Sequence, residues 1–315
     1  MTKTRFELKE KLYGCERFGR LRWAILHKPG KSLSLINKSN YKDWLFDSVP
    51  HIEKFNDEHD SYRELLTSLG VEVLELADYV TENCDLIHQL PNLTYLHDIA
   101  VISSKGAMLS SMAMKGRKGE EIVVREALSN LGIPVFSEFS DPNDCFEGCL
   151  LLSPDTVLVA HTERHNLAAI EKFILKTLTF FQEVIYVDIP KSRRYMHPDT
   201  IYNRVDENLA IAFIPAFKCT RLYTKQNNKE IDFVRYMRKK GIEIINVSDE
   251  EQKSLACSFV PLEPGVIIHY DTALNKETRS LLEKKGVEMI LFHPNAMVAG
   301  GGSLRCLTLR VLREP

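Results

Sequence analysis

Leu69-Gly70-Val71-Glu72-Val73-Leu74 is a phrase that the chain repeats. It returns as Leu131-Gly132-Ile133-Pro134-Val135-Phe136, Phe181-Gln182-Glu183-Val184-Ile185-Tyr186, Lys240-Gly241-Ile242-Glu243-Ile244-Ile245 and Lys285-Gly286-Val287-Glu288-Met289-Ile290. Each copy joins the end of an amphipathic stretch to a β-branched run. A glycine at that junction suits the left-handed residue that ends a helix before a buried strand. Four copies carry the glycine; the third carries Gln182, so its helix must end without that device.

The stretches before these junctions have helical period. Ile52, Phe55, His59, Tyr62, Leu66 and Leu69 recur every three or four residues, as do Leu167, Ile170, Ile174, Leu178 and Phe181. Hairpins precede some of them. Ala100–Ser103 turns at Lys105-Gly106 into Met108-Leu109-Ser110, and Cys149–Leu152 turns at Ser153–Thr156 into Val157–Ala160. Alternating helix and strand first calls to mind a doubly wound parallel sheet. Interposed hairpins fit that poorly. They fit an α/β ring of five ββαβ blades, one domain over residues 1–315, with the chain ends meeting in one blade.

Composition narrows the function. The 315 residues hold 41 Lys and Arg against 43 Asp and Glu, a formal charge of −2, without the basic excess of a nucleic-acid binder. Apolar runs such as Leu209–Phe217 reach about nine residues, and a membrane-spanning helix needs about twenty. Charges in Met1–Glu7 stand where an export signal would have its apolar core. Seven cysteines at irregular spacing then read as free thiols in a reducing cytoplasm.

Few residues announce chemistry singly. Gly300-Gly301-Gly302-Ser303-Leu304-Arg305-Cys306 opens what reads as the last strand, in which Leu307, Leu309 and Val311 alternate with Cys306, Thr308 and Arg310. Three glycines let a ligand approach the backbone closely. A lone cysteine after a turn is ordinarily a small buried hydrophobe. His197-Pro198-Asp199 sets an imidazole and a carboxylate two apart, which a plain polar loop also does. Asp98 and Glu147 stand just before hairpin strands, where a carboxylate is usually a cap or a solvated charge. Lys191, Arg193 and Arg194 read as a solvated face. No zinc-type cluster of His and Cys, phosphate-cradling glycine loop or Gly-x-Ser-x-Gly elbow occurs.

Taken in order, Asp98, Glu147, His197, Asp199 and Cys306 resemble the guanidine-modifying superfamily of arginine deiminases, dimethylargininases and amidinotransferases. The chain looks most like an arginine deiminase. The likeness runs through Leu26–Gly30, Leu45-Phe46-Asp47, Glu58-His59-Asp60, Tyr95-Leu96-His97-Asp98, Met114–Glu120, Phe146-Glu147-Gly148, Thr162-Glu163-Arg164, His197–Thr200 and Gly300–Cys306. It implies a five-bladed ββαβ propeller, in agreement with the repeats. It also implies a small guanidino substrate, no cofactor and no metal, and it leaves homo-oligomerisation open.

The resemblance assigns roles. Cys306 attacks the guanidino carbon; His197 protonates the leaving nitrogen and activates water; Glu147 orients His197. Asp98 and Asp199 clamp the guanidinium, and Arg117 and Arg164 bind the α-carboxylate. Without the resemblance, the two arginines would read as surface residues. The chain departs from the pattern at His97-Asp98-Ile99 (Arg-Asp-Pro in the family) and Glu147-Gly148-Cys149-Leu150 (Glu-Gly-Gly-Asp). A third clamp arginine is replaced by Gly301, and a helical insertion of bacterial deiminases is absent before Asp98. The reacting end is thus complete, while Leu150 and Gly301 leave the site less polar toward the substrate's tail. Three readings follow: a hydrolase of arginine or a close derivative, an amidinotransferase passing the amidino group to an amine, and a catalytically silent arginine-binding protein. All five reacting positions together favour an enzyme.

Overall fold

Every one of the five junctions joins a helix to a strand in the computed structural model, which describes residues 13–314. The Met1–Glu7 stretch read against an export signal lies outside the described residues. The chain begins with β1 (Arg20–Leu26), α1 (Ile52–Ser68) and β2 (Glu72–Glu75). It continues with β3 (Ala100–Ser103), β4 (Gly106–Leu109), α2 (Glu120–Asn130) and β5 (Val135–Ser137), then β6 (Leu150–Ser153), β7 (Thr156–His161), α3 (Leu167–Thr177) and β8 (Glu183–Asp188). Next come β9 (Tyr202–Arg204), β10 (Leu209–Ala212), β11 (Cys219–Tyr223), β12 (Asn228–Glu230), α4 (Phe233–Lys239) and β13 (Glu243–Asn246). Last are β14 (Val260–Glu263), β15 (Val266–Tyr270), α5 (Lys276–Lys284), β16 (Glu288–Phe292), the one-turn α6 (Leu304–Leu307) and β17 (Leu309–Glu314).

The described residues form a mixed α/β fold of five small sheets built on one plan. In each, a first strand pairs antiparallel with a second, and a helical crossover returns a third strand parallel to the second. The trios are β17-β1-β2, β3-β4-β5, β6-β7-β8, β9-β10-β13 and β14-β15-β16. One trio therefore takes its first strand from the far end of the chain, with Ala24 opposite Arg310. The hairpin of β11 and β12 extends the third sheet, β11 running antiparallel to β8.

The junctions end helices as their sequences dictate. Gly70 and Gly286 have φ of +80° and +82°, a backbone region open to glycine and costly for other residues. At the third junction the last turn tightens instead: Thr179 donates to Lys176 and Phe180 to Thr177, bonds spanning three residues, before the chain enters β8. The helices press their apolar stripes on the sheets. Phe55, Tyr62 and Leu66 of α1 join a core with Leu21 and Leu26, and Ile170, Phe173 and Ile174 of α3 pack with Val157 and Val159. Among the described residues no helix is long and apolar enough to cross a membrane.

One local expectation changes. Cys306 lies not on the last strand but in α6, because Ser303 caps that turn by accepting from the Cys306 N–H. His197 is extended (φ −134°, ψ 158°), but Pro198–Thr200 form a 3-10 turn, where proline suits the first position.

Candidate active site

The sheet plan places the chemistry. Asp98 stands just before β3, Glu147 before β6, Asp199 before β9 and Cys306 before β17, each leading into the first strand of its trio. The fifth such segment contributes Ser258, whose hydroxyl donates to the Asp199 carbonyl at 3.1 Å. Equivalent positions of successive units thus supply different parts of one site.

Far from being caps or solvated charges, these carboxylates are buried: Asp98 is 5% exposed, Asp199 1% and Glu147 fully inside. Glu147 Oε2 lies 2.9 Å from His197 Nε2, while its Oε1 accepts from the Ala113 N–H at 2.8 Å. The other ring nitrogen, His197 Nδ1, is 3.3 Å from Asp98 Oδ1. Burial opposes charge on this imidazole, but carboxylates on both sides outweigh it and raise its pKa. Burial would likewise raise Glu147, yet the bond from His197 and the nearby Arg164 and Arg117 guanidinium groups hold its carboxyl well below the usual range.

The Cys306 thiol is pushed up, first by burial and then by the charges of Asp98 and Asp199, against the opposing hydrogen bond from Ser303. Ser303 Oγ stands 3.3 Å from the sulfur. Burial also raises Asp199, with Arg305 and His197 working the other way. Asp98 Oδ1 and Asp199 Oδ2 are buried and have no hydrogen-bond partner among the described residues. Arg305 Nε approaches the latter only to 3.5 Å. Two carboxylate oxygens without hydrogen bonds, near a thiol and an imidazole, form an acceptor set that a flat, cationic donor can fill.

Arg117 and Arg164 are 3% and 1% exposed, so the surface alternative fails for both. Arg117 is tightly held: Nη1 donates to Asp98 Oδ2 at 2.7 Å, Nε to Glu120 Oε2 at 2.9 Å and Nη2 to the Tyr95 carbonyl at 3.1 Å. Arg164 is looser, with Glu147 Oε2 3.5 Å and Glu163 Oε1 3.3 Å away. Both line a cavity of about 30 Å³ together with Tyr95, Asp98, His197 and Cys306. That volume suits a water or two and not an amino acid, so a substrate must move part of the wall.

Tyr95 forms much of that wall. A Cβ at Gly300 would overlap its hydroxyl, and one at Gly302 would overlap its ring. The glycine run therefore serves to admit this ring. Leu150 stands apart from the cavity; it is a core residue paired with Leu158 across β6 and β7, so its apolar character has no bearing on the substrate's tail. The basic cluster also divides. Lys191 bonds Asp188 and Arg194 bonds Asp249 and Gln252, whereas Arg193 reaches the cavity.

Sequence reasoning gave no role to Tyr95, Glu120 or His165, and it read Arg193 as part of a solvated face. His165 accepts from the Glu147 N–H at 3.2 Å and meets Thr162 Oγ1 at 2.8 Å, bracing the Glu147 turn. Tyr95 and Glu120 lay within stretches that carried the resemblance, but nothing in their spacing marks them as buried beside the site. Among the described residues no three His, Cys, Asp or Glu side chains group as a metal site.

The family model for arginine deiminase matches residues 42–86 and 82–313. Arginine deiminase of Mycoplasma capricolum is 23% identical, over 98% of this chain and 98% of its own, and that of Mycobacterium avium is 24% identical over 94% and 97%. The first alignment runs 399 positions against 315 residues, so a long segment of that relative has no counterpart here. The two family matches overlap at residues 82–86, where such a segment would enter. Among solved structures, the N-terminal domain of ArgZ, a cyanobacterial arginine dihydrolase, superposes with a TM-score of 0.69 at 16% identity over 92% of this chain and 97% of its own. AgrE gives 0.70 at 16% identity over 93% of this chain, which spans only 39% of AgrE's length. A dimethylarginine dimethylaminohydrolase gives 0.65 at 15% identity over 92% of this chain and 99% of its own. These likenesses fix the fold, and the family model, matched over most of the chain, fixes the kinship: the protein belongs to the arginine deiminase family of guanidino C–N hydrolases.

Proposed function

We propose that this chain hydrolyses the guanidino group of arginine or a close derivative, giving citrulline or its ureido analogue and ammonia through a covalent intermediate on Cys306. One observation carries the reading: Asp98 Oδ1 and Asp199 Oδ2 lie buried with no hydrogen bond among the described residues, met only by the longer ion-pair contacts of His197 and Arg305, and both charges bear on the Cys306 thiol. A guanidinium stays protonated at any physiological pH and offers paired N–H donors in a plane, which two such carboxylates can accept.

The substrate then corrects the fault that keeps the thiol protonated. With the cation seated between Asp98 and Asp199, the negative field on Cys306 is neutralised and thiolate becomes accessible. The thiolate adds to the guanidino carbon. His197, held protonated between Asp98 and Glu147, gives a proton to the departing nitrogen; the C–N bond breaks and ammonia leaves. An S-alkylthiouronium remains on Cys306. Water adds to it as His197 takes the proton, and collapse of the second adduct releases the ureido product and the thiol. Arg164, the looser of the two buried arginines, receives the substrate carboxylate, joined by Arg117 if it yields one of its present bonds.

The same reading makes the five sheet units the blades of a single five-bladed ββαβ propeller domain. The repeated trio plan and the β17–β1 pairing of the two chain ends support it. The test is a panel of arginine, methylated arginines, Nα-acyl-arginine and agmatine, assayed for ammonia and ureido product, with Cys306→Ala expected to be silent. Release from none of them, with transfer of the amidino group to an amine instead, overturns hydrolysis.

A further inference from the structure

The site cavity opens beside a larger hollow of about 420 Å³ bordered by Asp47, Arg194, Lys253 and Tyr270. Arg193, Met196, Gly301 and Gly302 line both. A substrate with its guanidinium at Cys306 must direct its tail through that junction. Gly301, the position that lacks the expected clamp arginine, has φ +72° and presents no side chain there. The space is filled from elsewhere: a Cβ at 301 would lie 2.9 Å from Arg193 Nη2 and 2.6 Å from Asp47 Oδ2.

We infer that Arg193 is a specificity-determining residue that binds the carboxylate of the substrate's amino-acid end, taking over from the 3-10 turn Arg193–Tyr195 the role Gly301 cannot fill. This rests on the hydrolase reading above. Its guanidinium now donates to the Leu45 carbonyl at 2.5 Å and pairs with Asp47 at 3.1 Å. Both partners are replaceable. Asp47 is 57% exposed, so water can solvate it when a substrate carboxylate takes its place. Leu45 holds an unfavourable φ of +62°, in a loop whose rearrangement would relieve strain. Arg117, by contrast, is committed to two buried carboxyl groups and a carbonyl. Arg193 is thus the cationic side chain that lines both hollows, and its present bonds can be exchanged for an incoming anion.

The experiment compares arginine with agmatine, which lacks the carboxylate. Arg193→Ala should lower the ratio of their kcat/KM values about tenfold or more by raising KM for arginine, and Arg193→Lys should restore part of it. Asp47→Asn, which frees Arg193 from its resting partner, should move the ratio the opposite way. An Arg193→Ala ratio within about twofold of the parent, or an Asp47→Asn change in the same direction as Arg193→Ala, overturns the inference. Equilibrium binding of arginine and agmatine to Cys306→Ala, with and without Arg193→Ala, reads the same preference without turnover. A failed hydrolase reading therefore shows as binding without ammonia, and a failed inference as binding indifferent to the carboxylate or to Arg193.

Discussion

Asp98 Oδ1 stands 3.3 Å from His197 Nδ1, so the proposed guanidinium clamp and the proposed proton donor already share one charge interaction. An arriving cation competes with the imidazolium for Asp98. It cannot displace it from Glu147, which holds the other nitrogen. His197 should therefore keep its proton through binding and surrender it only to the leaving nitrogen.

Removing either clamp carboxylate should divide reactivity from turnover. Asp199→Asn or Asp98→Asn deletes a negative charge that keeps the Cys306 thiol protonated. Labelling by neutral iodoacetamide near pH 7 should accelerate, while kcat/KM falls several hundredfold or more, the cost of about 3–5 kcal/mol for breaking a buried charged pair. Slower labelling in both variants would refute the field attributed to these residues.

In the parent protein the same thiol should resist neutral alkylating agents at pH 7 and react faster as pH rises, because burial and two carboxylates raise its pKa. A cationic haloacetamidine brings its own counter-charge and should label Cys306 ahead of exposed Cys84. Mass spectrometry of the labelled peptides decides this.

Glu120 gives a stability signature of defined sign. Burial, opposed by Arg117 but reinforced by Glu147 and Asp98, pushes its carboxyl up to about 8. The folded state then holds a proton that the unfolded state has lost above the ordinary carboxylate pKa. Glu120 thus contributes a stability that is full below about pH 4.5 and declines as pH rises to about 8. Glu120→Gln should flatten that part of the melting-temperature profile between pH 5 and 8. An unchanged slope would show that Glu120 is ionised in the folded protein.

The Tyr95 wall should answer to a double-mutant cycle. Gly300→Ala brings a methyl onto the hydroxyl of Tyr95, whereas Gly302→Ala brings one onto the ring. Overpacking of this kind costs about 1–3 kcal/mol. Tyr95→Phe removes only the hydroxyl, which is buried without a partner among the described residues, so it should be harmless by itself to folding. It should rescue part of the Gly300→Ala loss and none of the Gly302→Ala loss in thermal denaturation.

What the sequence discloses depends on how local the cause is. Helix-to-strand junctions such as Gly241 followed by Ile244 and Ile245 are written in neighbouring residues, and each stands where periodicity puts it. The Cys306 turn reads as strand because Leu307, Leu309 and Val311 alternate as a strand does. Ser303, three residues ahead, is the capping signal that could have reversed that reading. The depth of Glu147 and Arg164 depends on partners 17 to 50 residues away, which spacing alone does not record. Arg193 hid most completely: beside Lys191 and Arg194 it looks solvated, and only the bare backbone of Gly301 shows where it goes.

The pairing of β1 with β17 sets a timetable for synthesis. Ala24 leaves the ribosome nearly the whole described chain before its partner Arg310. At about 5–20 residues per second, the first strand waits roughly tens of seconds with that edge open. Such an edge invites intermolecular pairing, and contacts of this sequence separation form slowly. Because Cys306 sits immediately ahead of β17, the proposed nucleophile is set in place by the same late event that covers the edge. A nascent chain can therefore be prone to aggregation or chemically active, but not both: the step that ends the first condition begins the second.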